Sequence, residues 1–224
     1  MSATAAILTS HYWPTLAYMA QWLRYEQVYL EAHENYQKGS YRNRTHIIGG
    51  QGVQRLSIPL RSGKHQRQPI QQVAIDGDDW RRPHWQAIRS AYGRSPYYEH
   101  YAPYISPLYL GRAPELLFDW NLRLLQVLHR LLQLPGVIAT TGSYRSATAM
   151  ERDSTIVDLR AAIHPKRTPT LVTGYRPVPY AQVFQERHGF VSEVSALDLL
   201  FCAGPEAPGI LQRGLVVQPD SSRK

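Results

Sequence analysis

A single cysteine, Cys202, among 224 residues excludes an intrachain disulfide. Nowhere do about 18 uncharged apolar residues run together, so no membrane-spanning helix is expected. The opening Met-Ser-Ala-Thr-Ala-Ala-Ile-Leu-Thr-Ser lacks the basic patch and long apolar stretch of a secretory signal, which together with the lone thiol predicts a cytoplasmic protein. None of the nine histidines forms a helical i, i+4 pair, and no Cys-x-x-Cys or His-Glu-x-x-His pattern occurs, so no metal site is expected. A Gly-x-Ser-x-Gly elbow and a dinucleotide glycine fingerprint are also missing, and no cofactor is implied.

What is present is a positive balance, 25 Lys and Arg against 17 Asp and Glu, a formal +8. That excess favours anionic partners without choosing between nucleic acid, phosphorylated metabolites and an acidic membrane surface. With 43% hydrophobic residues the chain can bury a substantial core. The expectation is one domain over residues 1–208 and a flexible tail over 209–224, where periodic apolar content fades into Pro-Asp-Ser-Ser-Arg-Lys.

The pattern along the chain predicts an α/β fold: a mixed or mostly parallel sheet opened by a βαβ unit, then a β-hairpin and a helical C-terminal half. Ala5 to Thr9 reads as a buried strand, Pro14 to Arg24 places Leu16, Met19, Ala20 and Leu23 at helical spacing, and Val28 to Leu30 supplies a second strand. Ligands of such units lie beyond the carboxyl ends of the strands, here at His11-Tyr12-Trp13. Gly49-Gly50-Gln51-Gly52 between Thr45–Ile48 and Val53–Leu60 reads as a hairpin turn; a strand follows it and a Walker lysine is missing, so it is not a phosphate loop. Gln72 to Ile75 suits another strand, Asp78 and Asp79 precede a helix ending at Tyr92, and the five tyrosines and three prolines from Ser95 to Tyr109 predict short irregular helices. Glu115 to Leu134 is the clearest helix, with Leu117, Leu124, Leu128 and Leu131 along one side, and Val137 to Thr140 resembles a strand. Ser195 to Asp198 fits a capping box opening the last helix, which stops at Gly204.

The stretch from His33 to Arg44 contains no aliphatic side chain and is read as a surface segment turning into a strand. On a strand, Arg42 and Arg44 share one face and Tyr41 and Asn43 the other, so paired guanidinium groups, with Lys38, suit a phosphate or carboxylate. A solvated sheet edge, charged against edge-to-edge pairing, explains the same arginines. Glu34 and His84 are the candidate general bases; Tyr12, Asn35, Lys38, Tyr41, Arg42, Asn43, Arg44, Asn121 and His164 are the candidate substrate contacts. Asn121 also suits a hydrogen bond to a loop backbone, and His84 a place in the core. Cys202, among Leu199, Leu200 and Phe201, is expected to be inert packing.

In order and spacing the chain resembles the WbqC-like protein family, particularly its Bacteroidetes-type members, from about residue 8 to residue 206. The carrying residues include Glu34-Asn35-Tyr36, Tyr41-Arg42-Asn43-Arg44, His84-Trp85, Asp119-Trp120-Asn121, Ile163-His164-Pro165-Lys166 and Tyr180-Ala181-Gln182-Val183-Phe184. It departs from the family pattern at Trp13, where leucine is frequent, and at Cys202, where asparagine is common. The resemblance implies a metal-independent transferase of glycyl or other acyl groups, acting on a phosphate-bearing activated sugar or related metabolite in surface polysaccharide metabolism. The alternative is a non-catalytic protein that binds an anionic ligand or nucleic acid.

Overall fold

The computed structural model describes residues 3–61, 67–166 and 173–216. Four short strands build a parallel sheet: β1 (Ala5–Leu8), β2 (Gln27–Leu30), β5 (Ile138–Thr140) and β6 (Ile156–Asp158), in the order β5-β2-β1-β6. Every residue of β1 is buried, as a central strand covered on both faces requires. Two single-turn helices, α1 (Leu16–Met19) and α2 (Gln21–Arg24), join β1 to β2 where one helix was expected. A two-stranded antiparallel hairpin of β3 (Arg44–Gly49) and β4 (Gly52–Ser57) follows, turning through Gly50 and Gln51. The expected mixed α/β architecture, with its parallel sheet and hairpin, is therefore what the chain adopts.

Helices fill the rest: α3 (Arg81–Tyr92), α4 (Tyr98–Leu110), α5 (Leu117–Leu131), α6 (Ala147–Glu151), α7 (Gln185–His188), α8 (Ala196–Ala203) and α9 (Ala207–Arg213). Four expectations change. Residues 98–110 form one helix despite Pro103 and Pro107, because the two prolines are four residues apart and exposed, on a side where water can replace the lost amide partner. Ile70–Gln72 is a single 3-10 turn, and the predicted strand after it reduces to isolated bridges, Ala74 to Leu116 and Leu60 to Ile75. The predicted tail begins instead as α9, with Ile210 and Leu211 buried and Leu215 bridging Tyr175. Asp198 does not close a capping box: Ser195 Oγ accepts from the Leu197 amide, while the Asp198 carboxylate accepts from Tyr180 Oη (2.7 Å) and Gln182 Nε2 (2.8 Å). The polar, basic stretch from Arg61 to Gln68, whose composition suits a surface loop, falls largely on residues 62–66, outside the described residues.

The core is continuous from Ala6 to Leu211 and unusually aromatic at its centre, where Tyr12, Trp80, Tyr109 and Trp120 meet edge to face. Trp13, fully buried, holds a left-handed backbone (φ 43°), a conformation that costs about 1–3 kcal/mol and persists only where its surroundings fix it. Here its carbonyl accepts from Thr45 Oγ1 (2.9 Å) and its indole N–H donates to Tyr109 Oη (2.6 Å). The strain sits in the loop that leaves β1, at the sheet edge where the site lies.

Candidate functional site

Because all four sheet strands run parallel, their carboxyl ends share one edge, and the chain leaves that edge in four loops. Ladder bonds continue just past the strands, Glu31 N to Leu8 O (2.7 Å), Thr141 N to Leu30 O (3.0 Å) and Leu159 N to Ile7 O (3.0 Å), so these residues are fixed at the edge. A cavity of about 750 Å³ opens there. Its lining comes from the loop after β2 (His33, Glu34, Asn35, Lys38), from Arg67, from Tyr144 after β5, and from Asp158 and Arg160 at the end of β6.

Glu31 organises the edge. Its side chain is fully buried, and Oε1 accepts from Thr141 Oγ1 (2.7 Å) and the His33 amide (2.9 Å) while Oε2 accepts from Arg160 Nη1 (2.9 Å). One carboxylate thus ties together the ends of β2, β5 and β6. Arg160 also forks onto Asp158, Nε to Oδ1 (2.9 Å) and Nη2 to Oδ2 (2.6 Å), and lies over the exposed Tyr144 ring at 4.8 Å. The hydrogen bonds from Arg160 hold the Asp158 carboxyl below the usual carboxylate range against the opposing effect of burial, which is the largest single influence.

Beside this hub, Arg42 and Glu34 form a buried bidentate pair, with Nε to Oε1 at 2.8 Å and Nη2 to Oε2. Burial pushes the Glu34 carboxyl up, and the guanidinium pulls it back toward the charged form. The segment from His33 to Arg44, expected at the surface, folds inward as a loop: Glu34, Tyr36, Ser40, Tyr41 and Arg42 are all buried. Gly39 (φ 83°) permits its tight turn, and Ser40 Oγ donates to the Gln37 carbonyl (2.7 Å). Since β3 begins at Arg44, the two arginines do not project in parallel from a strand. Arg42 is spent on Glu34, and Arg44 Nε donates to the Ser40 carbonyl (3.0 Å).

Of the candidates named from sequence, Glu34, Asn35 and Lys38 line the cavity. Asn43 bridges Tyr36 Oη (3.0 Å) and the Ile58 carbonyl (3.0 Å), and Asn121 donates from α5 to the Arg42 carbonyl (2.7 Å), which is the loop-backbone role weighed for it. Tyr41 lines a separate cavity of about 540 Å³ with His46, Lys166 and Glu193. Tyr12 and His84 lie in the aromatic core, where Tyr12 Oη contacts both His84 Nδ1 (2.8 Å) and Tyr109 Oη (2.6 Å). One donor chain satisfies the set: Trp13 N–H to Tyr109, Tyr109 to Tyr12, Tyr12 to a neutral His84. Burial agrees, lowering His84 to about 4. Glu34 and His84 are therefore not brought into one cavity. His164, half-buried, accepts the Lys166 amide on Nδ1 (3.2 Å) and influences the buried His11.

Sequence reading missed Glu31, Asp158 and Arg160; it took in His33 only as the start of the polar segment, and Thr141 and Tyr144 only within a polar loop, Thr141 to Ser154, that suits substrate contact or a flexible connector equally. The usable signal was positional: the first polar residues after each strand of a parallel sheet. Asp158 and Arg160 were hidden because β6 is three residues long. Among the described residues, no group of three or more His, Cys, Asp or Glu could hold a metal ion. No helix of the described residues is long and apolar enough to cross a membrane.

No solved structure matches the chain. It is similar to a Mycobacterium tuberculosis protein described as "Uncharacterized protein Rv1507c", 28% identical over 223 residues that cover 92% of this chain and 96% of the relative. The comparisons do not extend to a Bacteroidetes-type subgroup. The profile of the WbqC-like protein family matches residues 9–174, which span β2 to β6 and every lining residue of the cavity. The chain belongs to the WbqC-like protein family.

Proposed function

We propose that the cavity at the sheet edge binds a phosphate-bearing activated sugar and that the protein transfers a glycyl or other acyl group to the sugar's amine, in surface polysaccharide metabolism. The observation that carries this reading is the division of charge around one cavity. Lys38 and Arg67 line it from exposed positions and have no carboxylate partner among the described residues. Two such cations suit a phosphate, each charge-assisted bond contributing about 1.5–3 kcal/mol when partly shielded from water. Asp158 and Glu34 supply acceptor oxygens for hydroxyl or amine groups on the buried side, and the exposed Tyr144 ring, stiffened by Arg160, offers a face for a sugar or base. The reading places the protein in the cytoplasm, where nucleotide-activated sugars are made.

A thermal-shift screen of nucleotide sugars, sugar phosphates and acyl thioesters tests it, because binding to the native state raises its melting temperature. A nucleotide amino sugar should raise it, and Lys38→Ala with Arg67→Ala should remove the shift while leaving the unliganded melting temperature nearly unchanged. An oligonucleotide that binds with steep salt dependence, alongside silent nucleotide sugars, would instead support the nucleic-acid alternative.

A further inference from the structure

We infer that His33 is the proton-accepting residue of this cavity, its Nδ1 lone pair presented to an acceptor amine by the carbonyl of Thr141. The inference rests on the reading above for its substrate. Nε2 of His33 lies 3.1 Å from the Thr141 carbonyl oxygen. A carbonyl only accepts, so Nε2 carries the proton and Nδ1 of the neutral ring carries the lone pair. Both ends of the residue are held: the ring by Thr141, and the backbone amide by Oε1 of the buried Glu31 (2.9 Å). The same Glu31 oxygen accepts from Thr141 Oγ1, and Thr141 Oγ1 accepts from the Ala32 amide (3.1 Å), so the carbonyl that sets the tautomer is itself fixed. His33 is exposed and lines the cavity, unlike His84, and its ring is in no ion pair among the described residues, unlike Glu34, which Arg42 holds. Glu31 is a positioning residue in this scheme.

In the proposed step the sugar amine attacks the carbonyl carbon of an acyl ester or thioester donor. A C–N bond forms, the donor's C–O or C–S bond breaks, Nδ1 takes the proton shed by the new amide nitrogen, and the imidazolium returns that proton to the departing alkoxide or thiolate. No electrons leave the pair of substrates.

The test is long-range nitrogen–proton NMR on 15N-histidine-labelled protein, with His33→Gln used to assign the ring. Expected for the free protein is the Nε2–H tautomer at neutral pH; a dominant Nδ1–H tautomer overturns the inference whether or not any sugar binds. With UDP-glucosamine added, the Nδ1 resonance should move toward lower frequency as it accepts a hydrogen bond. If UDP-glucosamine raises the melting temperature and Nδ1 does not move, the functional reading survives and the role of His33 falls. If nothing in the screen binds, the functional reading fails, and the tautomer alone supports or overturns the presentation of the lone pair.

Discussion

Arg42 is the residue whose reading changes most between sequence and structure. Its guanidinium is buried against Glu34, so Arg42→Ala strands a carboxylate in the interior instead of opening a binding site. Removing one partner of a buried pair costs about 3–5 kcal/mol. Urea unfolding of Arg42→Ala should show a loss of that order; a loss under 1 kcal/mol would place the pair in contact with water. Alternation along the segment was readable, but the pairing was not, because it depends on a turn that brings residues eight apart face to face. Two residue-level expectations did hold. Asn121 bonds a loop carbonyl, and Cys202 is buried, its thiol pushed up to about 12 chiefly by burial. Asp198 is a separate case, fully buried and raised by burial to about 6 from an ordinary 3.8, with the neutral groups of Tyr180, Gln182 and Tyr92 drawing it only part of the way back. The native state therefore holds an extra proton between about pH 4 and 6, and stability falls as pH rises through that window and stays lower above it. Asp198→Asn, which keeps an acceptor for Tyr180, removes the penalty. The stability of the wild type relative to this variant should drop by about 2 kcal/mol from pH 4 to pH 7. A difference independent of pH would contradict the burial argument.

The three strand ends joined by Glu31 form the structural unit behind the cavity. Glu31→Gln places an amide N–H against Arg160 where an oxygen stood, at a cost of about 1–3 kcal/mol for the unsatisfied buried group. Hydrogen exchange should then quicken at the His33 and Thr141 amides ahead of the hairpin β3–β4, whose ladder does not involve this carboxylate. Uniform quickening would mean that Glu31 supports the whole fold and not the edge in particular. Strands β1 and β2, the hairpin and α5 were legible because apolar runs, paired glycines and a leucine stripe are local signals. The strand β6 was not: three residues, Ile-Val-Asp, acquire strand character only by pairing with β1. Missing β6 meant missing Asp158 and Arg160, and hence the side of the cavity wall that this strand supplies. The prolines of α4 misled for a related reason, since their cost depends on which side of the helix meets water.

At the scale of the molecule, the account reduces to one geometric statement: a parallel sheet of the WbqC-like family gathers polar loops from three of its strand ends, those of β2, β5 and β6, around a single cavity. The expected βαβ opening put ligands at His11-Tyr12-Trp13, which the structure buries; the polar lining of the cavity comes instead from the ends of β2, β5 and β6. Charge alone, +8 over the chain, could not choose between metabolite and nucleic acid. The most direct measurement is backbone amide chemical-shift mapping of the protein titrated with UDP-glucosamine at physiological salt. The account predicts perturbations confined to residues 31–38, 67, 141–147 and 158–161; binding that perturbs the hairpin, or the cavity beside Tyr41, while leaving those segments unmoved would contradict it.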